Sequence, residues 1–289
     1  MSTYTSRTPI HKGWSEDQKY CLTAQDGSRV LLRVSPAGAL SRKEAEFRHM
    51  AQAAALGVPM CRPLELGVFS EGVYFLQSWI DGRDLEEVLP GQTGQAQYAW
   101  GLEAGSILRK LHTIPAPDTL EPWEARFGRK LDRKIQGYLQ CPLQYPGGQA
   151  FLNHVRENRH LLKNRPQTWQ HGDYHTGNMM LGRDGRLYVI DFNRSDYGDP
   201  WEEFNRIVWC AQLSPRFASG LVDGYFSGEV PMDFWRLLSL YIASNTLSSL
   251  PWAIPFGQGE VDTMLRQARD IFRWYDGMKT VVPGWYCAG

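Results

Sequence analysis

Residues 171–178 read His-Gly-Asp-Tyr-His-Thr-Gly-Asn, and residues 187–192 read Leu-Tyr-Val-Ile-Asp-Phe. The second run is rich in β-forming residues and follows an Asp-Gly turn, so the two runs are predicted to flank a β-hairpin. Such a hairpin would bring the carboxylates of Asp173 and Asp191 and the amide of Asn178 to one place. This set of oxygen-bearing side chains suits a magnesium nucleotide held beside a hydroxyl group.

The three side chains can divide this chemistry between them. Mg²⁺ usually binds one or two carboxylates together with phosphate oxygens and water, and Asn178 and Asp191 can supply two protein oxygens. Asp173 is then available to accept the proton of a hydroxyl and to orient it toward a terminal phosphate. Either aspartate alone could be an ordinary turn or capping residue, but that interpretation does not account for the complete pattern.

A different class of site also fits part of this stretch. His171, Asp173 and His175 alternate along the chain, a spacing that suits a transition-metal hydrolase. Such a site needs further ligands, and the other histidines show no companion motif: His11, His49, His112, His154 and His160. The two loop histidines are therefore predicted to hold the loop by hydrogen bonds to the backbone or to the aspartates.

Composition limits the classes of partner. The chain has 289 residues, enough for a substantial core in two domains or lobes, and a formal net charge of zero. Without a global basic field, nucleic acid is not predicted as a partner. The first residues are polar and no apolar run approaches the roughly 20 residues that cross a bilayer, so neither a signal peptide nor a membrane partner is predicted. The five scattered cysteines indicate reduced thiols and a cytoplasmic location.

The periodicity of apolar residues changes near residues 78–84. Residues 1–80 are predicted to form a small, β-rich lobe with one helix, which begins with Ser41 as its N-cap and ends at Gly57. Residues 81–289 are predicted to form a larger, mostly helical lobe. The predicted fold is therefore α+β and bilobed, and ligands favour the cleft between such lobes. The predicted strands are 20–23, 29–34, 68–69 and 73–80, and the predicted helices are 98–112, 151–163 and four or five after residue 202.

The motif from His171 to Asn178, followed by Ile190-Asp191-Phe192 and Gly198-Asp199-Pro200, resembles the aminoglycoside phosphotransferase family. This family has a protein-kinase-like fold and includes choline, homoserine and macrolide kinases. The resemblance is specific over residues 169–204 and looser over residues 10–115. It implies transfer of the γ-phosphoryl group of ATP or GTP to a hydroxyl of a small molecule, with Asp173 as the base and with Asn178 and Asp191 binding Mg²⁺.

The same resemblance assigns nucleotide binding to the first lobe. Kinase-like folds place a strand lysine against the phosphates and pair it with a helix glutamate. The cation on the matching strand is Arg33, and its predicted partner is Glu44, with Glu46 as the alternative. The phosphate-covering loop is predicted at residues 11–17, which lack a full glycine-rich motif.

The resemblance leaves further positions with predicted roles. The connector between the lobes is predicted to bind adenine through the Ser78 carbonyl and the Ile80 amide. The family often has an aspartate three positions after Gly-Asp-Pro, where this chain has Glu203, and a structural role is predicted for that side chain.

The acceptor is the least determined part of the prediction. The resemblance implies an aminoglycoside-type antibiotic, and a macrolide or a metabolic hydroxyl compound, such as an amino alcohol or a sugar, is the alternative. A polycationic acceptor would need clustered carboxylates, but residues 201–289 contain nine acidic and seven basic residues, which does not decide the question. A catalytically silent nucleotide-binding protein of the same fold remains a further alternative.

Overall fold

The computed structural model describes residues 4–12 and 16–287. The strands are β1 (Tyr4–Ile10), β2 (Gln18–Ala24), β3 (Arg29–Ser35), β4 (Pro63–Phe69), β5 (Gly72–Ser78), β6 (Gly82–Asp84), β7 (Thr168–Gln170), β8 (Met179–Gly182), β9 (Leu187–Val189) and β10 (Asp196–Gly198). The α-helices are α1 (Leu40–Ala55), α2 (Leu85–Val88), α3 (Gly94–Leu111), α4 (Trp123–Gln140), α5 (Gly148–Asn158), α6 (Ile207–Leu213), α7 (Pro215–Phe226), α8 (Met232–Ala253) and α9 (Gln258–Trp274).

The chain divides into two compact units, and neither is continuous in sequence. The first unit contains the residues up to Leu85 together with Asn178–Ser195. The second contains Glu86–Gly177 and the residues from Asp196 onward. The predicted boundary at residue 80 is therefore corrected in two ways: it falls after Leu85, and the hairpin β8–β9 belongs to the first unit.

Strand pairing explains why the hairpin belongs to the first unit. Strand β6 pairs with β8 in a three-stranded sheet of order β6-β8-β9, with Gly82 opposite Gly182. The Val189 amide also donates a hydrogen bond to the Pro59 carbonyl at 3.0 Å. These contacts join residues far apart in sequence, which is why the apolar periodicity alone did not reveal them.

The first unit is built on a five-stranded antiparallel sheet of order β1-β2-β3-β5-β4. Alternate residues of neighbouring strands, Leu22, Leu32, Val34 and Leu76, form an apolar cluster on it. Strand β1 was not predicted, because its polar residues are mostly exposed at the edge of the sheet. The predicted strands in β2, β3 and β5 are confirmed.

Helix α1 differs in its start from the prediction. A turn of 3₁₀ helix at Ala37–Ala39 leads directly into Leu40, so Ser41 is not the N-cap and no side chain caps this end. The helix ends as predicted before Gly57, which has φ of +72°. Its buried residues are Lys43, Glu46, Met50 and Ala53, which recur at helical spacing and form one face.

The second unit consists of helices with the small sheet β7–β10. Helix α8 is buried along most of its length, because it packs against α4, α5 and α9. Helix α4 was not predicted, although Trp123, Phe127 and Leu131 recur every fourth residue on its buried face. The helix predicted at 98–112 is α3, which begins earlier, at Gly94. Thr93 is its N-cap, because the Thr93 side-chain oxygen accepts a hydrogen bond from the Ala96 amide.

Two helices of this unit approach closely through glycines. A Cβ atom at Gly105 of α3 would collide with the Leu221 carbonyl of α7, and one at Gly224 of α7 would collide with the Leu102 carbonyl of α3.

Among the described residues, no helix has the length and apolarity needed to cross a membrane. All five cysteines lie within the described residues and are free thiols.

Candidate active site

The hairpin β8–β9 brings Asn178 and Asp191 to its open end. Met179 pairs with Val189, and beyond that pair the Ile190 amide donates a hydrogen bond to the Asn178 carbonyl at 3.0 Å. Asp191 follows with φ of 65° and ψ of 63°, a left-handed conformation that ends the strand and that aspartate adopts more readily than most residues. The donor chemistry, an amide and a partly exposed carboxylate, fits Mg²⁺.

Arg33 of β3 links this end of the hairpin to a buried carboxylate. One of its guanidinium nitrogens, Nη1, lies 2.9 Å from Asp191 Oδ1, and its Nε donates to Asp17 Oδ2 at 2.9 Å. Arg33 is only 3% exposed. The cation predicted from the sequence is therefore beside the carboxylate predicted to bind metal.

Asp17 is a central acceptor that the sequence analysis did not identify. Besides Arg33, it accepts hydrogen bonds from Ser35 Oγ at 2.6 Å and from Lys43 Nζ at 2.8 Å. Lys43 is 1% exposed and also donates to Glu46 Oε2 at 2.9 Å. These groups form a buried network of alternating charge, for which the sequence offers no local signal beyond the Lys43–Glu46 spacing.

The predicted partnership of Arg33 with Glu44 is corrected by the register of α1. Glu44 is exposed, because it lies outside the face formed by positions 43, 46, 50 and 53. Glu46, the alternative, is buried on that face, and its charge raises the pKa of Arg33.

Electrostatics keep this network charged. Burial alone would raise the pKa of Asp17, but the charges of Arg33 and Lys43 and the hydrogen bond from Ser35 lower it to about 2. Burial opposes the charge of Arg33, but the carboxylates of Asp191, Glu46 and Asp17 raise its pKa. The pair Asp17 and Arg33 therefore stays ionised near neutral pH.

A groove next to this network has the charge expected of a phosphate site. It has a volume of about 410 Å³, and Lys12, Asp17 and Lys19 are among the residues that line it. Burial lowers the pKa of Lys19, while the charge of Asp191 opposes that shift. The central residues of the predicted phosphate-covering loop, 13–15, lie outside the described residues.

The predicted adenine-binding connector follows strand β5. Ser78 ends this strand, and it is fixed to Arg62 twice: its amide donates to the Arg62 carbonyl at 2.8 Å, and its Oγ accepts from the Arg62 amide at 2.8 Å. Ile80 lies in the irregular segment 79–81. The predicted adenine contacts of Ser78 and Ile80 stay predictions.

In the second unit, two histidines shape the loop that contains Asp173. His171 Nδ1 accepts a hydrogen bond from the Asp173 amide at 3.3 Å, and His175 Nδ1 accepts one from the Gly177 amide at 3.1 Å. These backbone bonds agree with the predicted structural role of both rings. Within the described residues, no group of three or more His, Cys, Asp or Glu side chains is arranged to hold a metal ion.

The Asp173 carboxylate lies beside an arginine and a histidine, and the sequence gives no local signal for the arginine. Its Oδ1 lies 3.1 Å from Arg206 Nε and 3.8 Å from His175 Nε2. Its side chain is 19% exposed, so the carboxylate is accessible to a small molecule. Arg206 and Asp173 are 33 positions apart in sequence, and no motif connects them.

Buried acidic residues lie next to the loop that contains Asp173, and one of them binds its backbone. Glu203 is 2% exposed and accepts the Gly172 amide at 2.9 Å, which agrees with its predicted structural role, although it supports the loop rather than the following helix. Asp199 is fully buried and accepts from Arg165 Nε at 2.7 Å and from the Tyr241 hydroxyl at 2.6 Å. Tyr174 donates to the Ala104 carbonyl at 2.7 Å and so fixes the loop to α3.

A β-rich unit whose hairpin ends in Asn178 and Asp191, and a helical unit with a His-Gly-Asp loop, are the features of a small-molecule kinase of the protein-kinase-like class. The chain belongs to the phosphotransferase enzyme family, whose model it matches over residues 6–235.

Solved structures share the whole fold. A GDP complex of a variant of aminoglycoside 2′-phosphotransferase-IIIa superposes with a TM-score of 0.70 at 14% identity, over 96% of this chain and 94% of that one. A choline/ethanolamine kinase family protein from Mesorhizobium loti gives 0.67 at 20% identity, over 96% and 92%. Amicoumacin kinase in complex with AMP-PNP and Ca²⁺ gives 0.66 at 14% identity, over 96% and 90%. At these identities the likeness shows the fold alone.

Proposed function

We propose that this protein transfers the γ-phosphoryl group of ATP or GTP, as its magnesium complex, to a hydroxyl of a small molecule. The observation that carries this proposal is the 2.9 Å ion pair between Arg33 and Asp191 at the open end of the β8–β9 hairpin. It places a cation suited to phosphate beside a carboxylate suited to Mg²⁺. The nucleotide complexes among the solved structures support the same co-substrate.

The first unit would hold the nucleotide. Asn178 and Asp191 would bind Mg²⁺, which neutralises charge on the phosphates when it is bound. Arg33 would contact the phosphates as a planar, permanently charged group, and the buried network of Asp17 and Lys43 fixes its side chain. The backbone of Ser78 and Ile80 would bind the base.

The second unit would supply the acceptor chemistry. The acceptor oxygen attacks the γ-phosphorus, the bond from that phosphorus to the bridging oxygen breaks, and the nucleoside diphosphate leaves. Asp173 accepts the proton of the attacking hydroxyl and orients it. Arg206 holds the Asp173 carboxylate in place.

The named acceptors of the structural relatives are aminoglycosides and amicoumacin, and the choline/ethanolamine kinase family adds amino alcohols.

Two variants separate binding from chemistry. Asp173→Ala should lower phosphoryl transfer by about 10²-fold or more, the usual contribution of a general base, while the thermal shift produced by Mg-ATP stays. Asp191→Ala should lose that Mg-ATP shift. Asp118→Ala, at an exposed position of the second unit, is the control and should change neither.

The measurement is nucleoside diphosphate release with aminoglycosides, macrolides, amino alcohols, sugars and hydroxy acids as acceptors. Equal turnover in wild type and Asp173→Ala would contradict the role of this residue as base. A retained Mg-ATP shift without turnover of any acceptor would favour the catalytically silent alternative.

A further inference from the structure

Helix α4 has a strongly basic sequence. It contains five basic and two acidic side chains: Arg126, Arg129, Lys130, Arg133, Lys134, Glu124 and Asp132. Two of the arginines have partners, since Arg126 donates to the Tyr197 carbonyl at 3.0 Å and Arg129 pairs with Glu121. Arg133 is exposed. The remaining two cations, Lys130 and Lys134, lie on one face of the helix.

These two lysines extend along the same buried ring. Lys130 Nζ lies 5.3 Å and Lys134 Nζ lies 5.9 Å from the ring centroid of Phe127, consistent with their positions three and seven residues after it. Lys130 Nζ also lies 3.5 Å from Glu202 Oε1. The two ammonium groups therefore share the Phe127 ring, and Glu202 pairs with the ammonium group of Lys130.

Lys134 is a half-buried cation without a counter-ion. No carboxylate within residues 4–12 and 16–287 lies at ion-pair distance from its Nζ, and no described group forms a hydrogen bond with it. Burial lowers its pKa to about 7, and the charges of Lys130 and Arg206 add to this effect while Glu202 opposes it. Leaving a cation partly desolvated beside like charges is unfavourable, and a bound anion would remove that penalty.

The same cluster reaches the proposed base. Glu202 and Arg206 begin and end one short 3₁₀ helix, and Arg206 Nε lies 3.1 Å from Asp173 Oδ1. An acceptor hydroxyl must come within about 3 Å of this carboxylate to give up its proton. The acceptor molecule that carries this hydroxyl then lies beside Arg206 and within the electrostatic field of Lys130 and Lys134.

We propose that the acceptor carries an anionic group, a carboxylate or a phosphate, that binds Lys130 and Lys134 while its hydroxyl lies at Asp173. The inference rests on the proposed function and deepens it by naming the charge of the substrate. A polycationic aminoglycoside would meet the positive charges of Lys130 and Arg206 and the partly charged Lys134 here, so this acceptor class is disfavoured. The other source of an anion is the terminal phosphate of the nucleotide, and the experiment distinguishes the two.

The first arm compares acceptors of matched skeleton at saturating Mg-ATP: glycerol, glycerate, glycerol 3-phosphate and serinol, with kanamycin as a polycation. We expect faster diphosphate release with the anionic acceptors than with glycerol or serinol. Comparing the rates with glycerate and with glycerol 3-phosphate shows whether the site prefers a carboxylate or a phosphate. Lys134→Met should raise the KM of the anionic acceptor about tenfold, the usual loss for a charged hydrogen bond. The KM of Mg-ATP should change less than twofold. Arg133→Met, on the exposed side of α4, should alter neither KM.

The second arm measures binding without turnover. At constant ionic strength, glycerate or glycerol 3-phosphate should raise the melting temperature of wild type and not that of a Lys130→Met, Lys134→Met double variant. A preference for serinol or kanamycin, a rise in the KM of Mg-ATP alone, or equal anion stabilisation of both proteins would overturn the inference. So would the absence of any anion-dependent shift in wild type. Anion binding at the two lysines without Mg-ATP binding would instead contradict the proposed function.

Discussion

Asp17 receives hydrogen bonds from three side chains of the first unit, Arg33, Ser35 and Lys43. A buried carboxylate is costly unless it is fully paired, and here two cations and a hydroxyl share it. It binds Arg33 through Nε, while Asp191 contacts Nη1 of the same guanidinium group. Because Asp17 follows a loop and Lys43 belongs to a helix, only the folded chain brings them together.

The pairing of Asp17 predicts a specific loss of stability in acid. Its pKa falls from 3.8 to about 2 on folding, so the stabilisation is complete above about pH 4 and is lost as the pH falls toward 2. This contribution is about 2 kcal/mol of the free energy of unfolding. Urea titrations of wild type between pH 5 and pH 2 measure it.

Asp17→Asn should be less stable at pH 5 and should lose stability less steeply below pH 4. Asp118→Asn, at an exposed site, should keep the wild-type slope. Parallel curves for wild type and Asp17→Asn would contradict the lowered pKa.

Lys134 predicts a pH dependence of acceptor binding. With its pKa lowered to about 7 by burial and by Lys130 and Arg206, against the opposing Glu202, Lys134 is increasingly neutral above pH 7. The KM of an anionic acceptor should therefore rise between pH 7 and pH 9. Lys134→Arg stays charged over this range and should give a flatter KM profile. A wild-type KM that is constant from pH 7 to pH 9 would argue against the contact.

At the scale of elements, α1 and α4 show where sequence patterns stop being informative. The sequence indicates a helix after Ser41, but choosing Glu46 over Glu44 requires knowing which face is buried. That face contains the charged residue Lys43, which a hydrophobic pattern treats as exposed. In α4 five basic residues stand between the apolar ones and make its amphipathic period harder to recognise, although Trp123 and Phe127 mark the buried face.

The contact between α3 and α7 predicts opposite effects for two helical glycine substitutions. Gly105→Ala would place a methyl group against the Leu221 carbonyl and should destabilise the protein by about 1–3 kcal/mol, as overpacking does. Gly137→Ala in α4 meets no atom within 4 Å and should stabilise it by about 0.5–1 kcal/mol through helix propensity. Chemical denaturation of the two variants measures both. Equal effects would mean that α3 and α7 are not in close contact.

At the scale of the whole molecule, the kinase-like class was predictable, because the short stretch that contains Asp173, Asn178 and Asp191 resembles the motif of a known family. The fold confirms that class. Asp17 and Arg206 were not predictable, because their partners Arg33, Lys43 and Asp173 are distant in sequence. If the acceptor binds at Arg206 and the α4 lysines as proposed, its identity depends on such contacts, and composition could not determine it.

Nucleotide binding should be visible in a defined subset of the chain. If Mg-ATP binds through Arg33, Asn178 and Asp191, it should slow amide hydrogen exchange in β3, β8 and β9 of the first unit. The core of α8 should change little. Exchange monitored by mass spectrometry with Mg-ATP, with ATP and EDTA, and with Mg²⁺ alone tests this. Protection confined to the second unit would contradict the assignment.

The hairpin β8–β9 completes the first unit late in synthesis, because it follows the second unit's first segment in the chain. Strand β6 is complete when the ribosome has synthesised residue 84, but its partner β8 is complete only at residue 182 and the following β9 only at residue 189. At usual elongation rates this interval is on the order of ten seconds. During that time the nascent chain presents an unsatisfied strand edge, which makes it a potential client for chaperones that shield such edges until the downstream segment arrives.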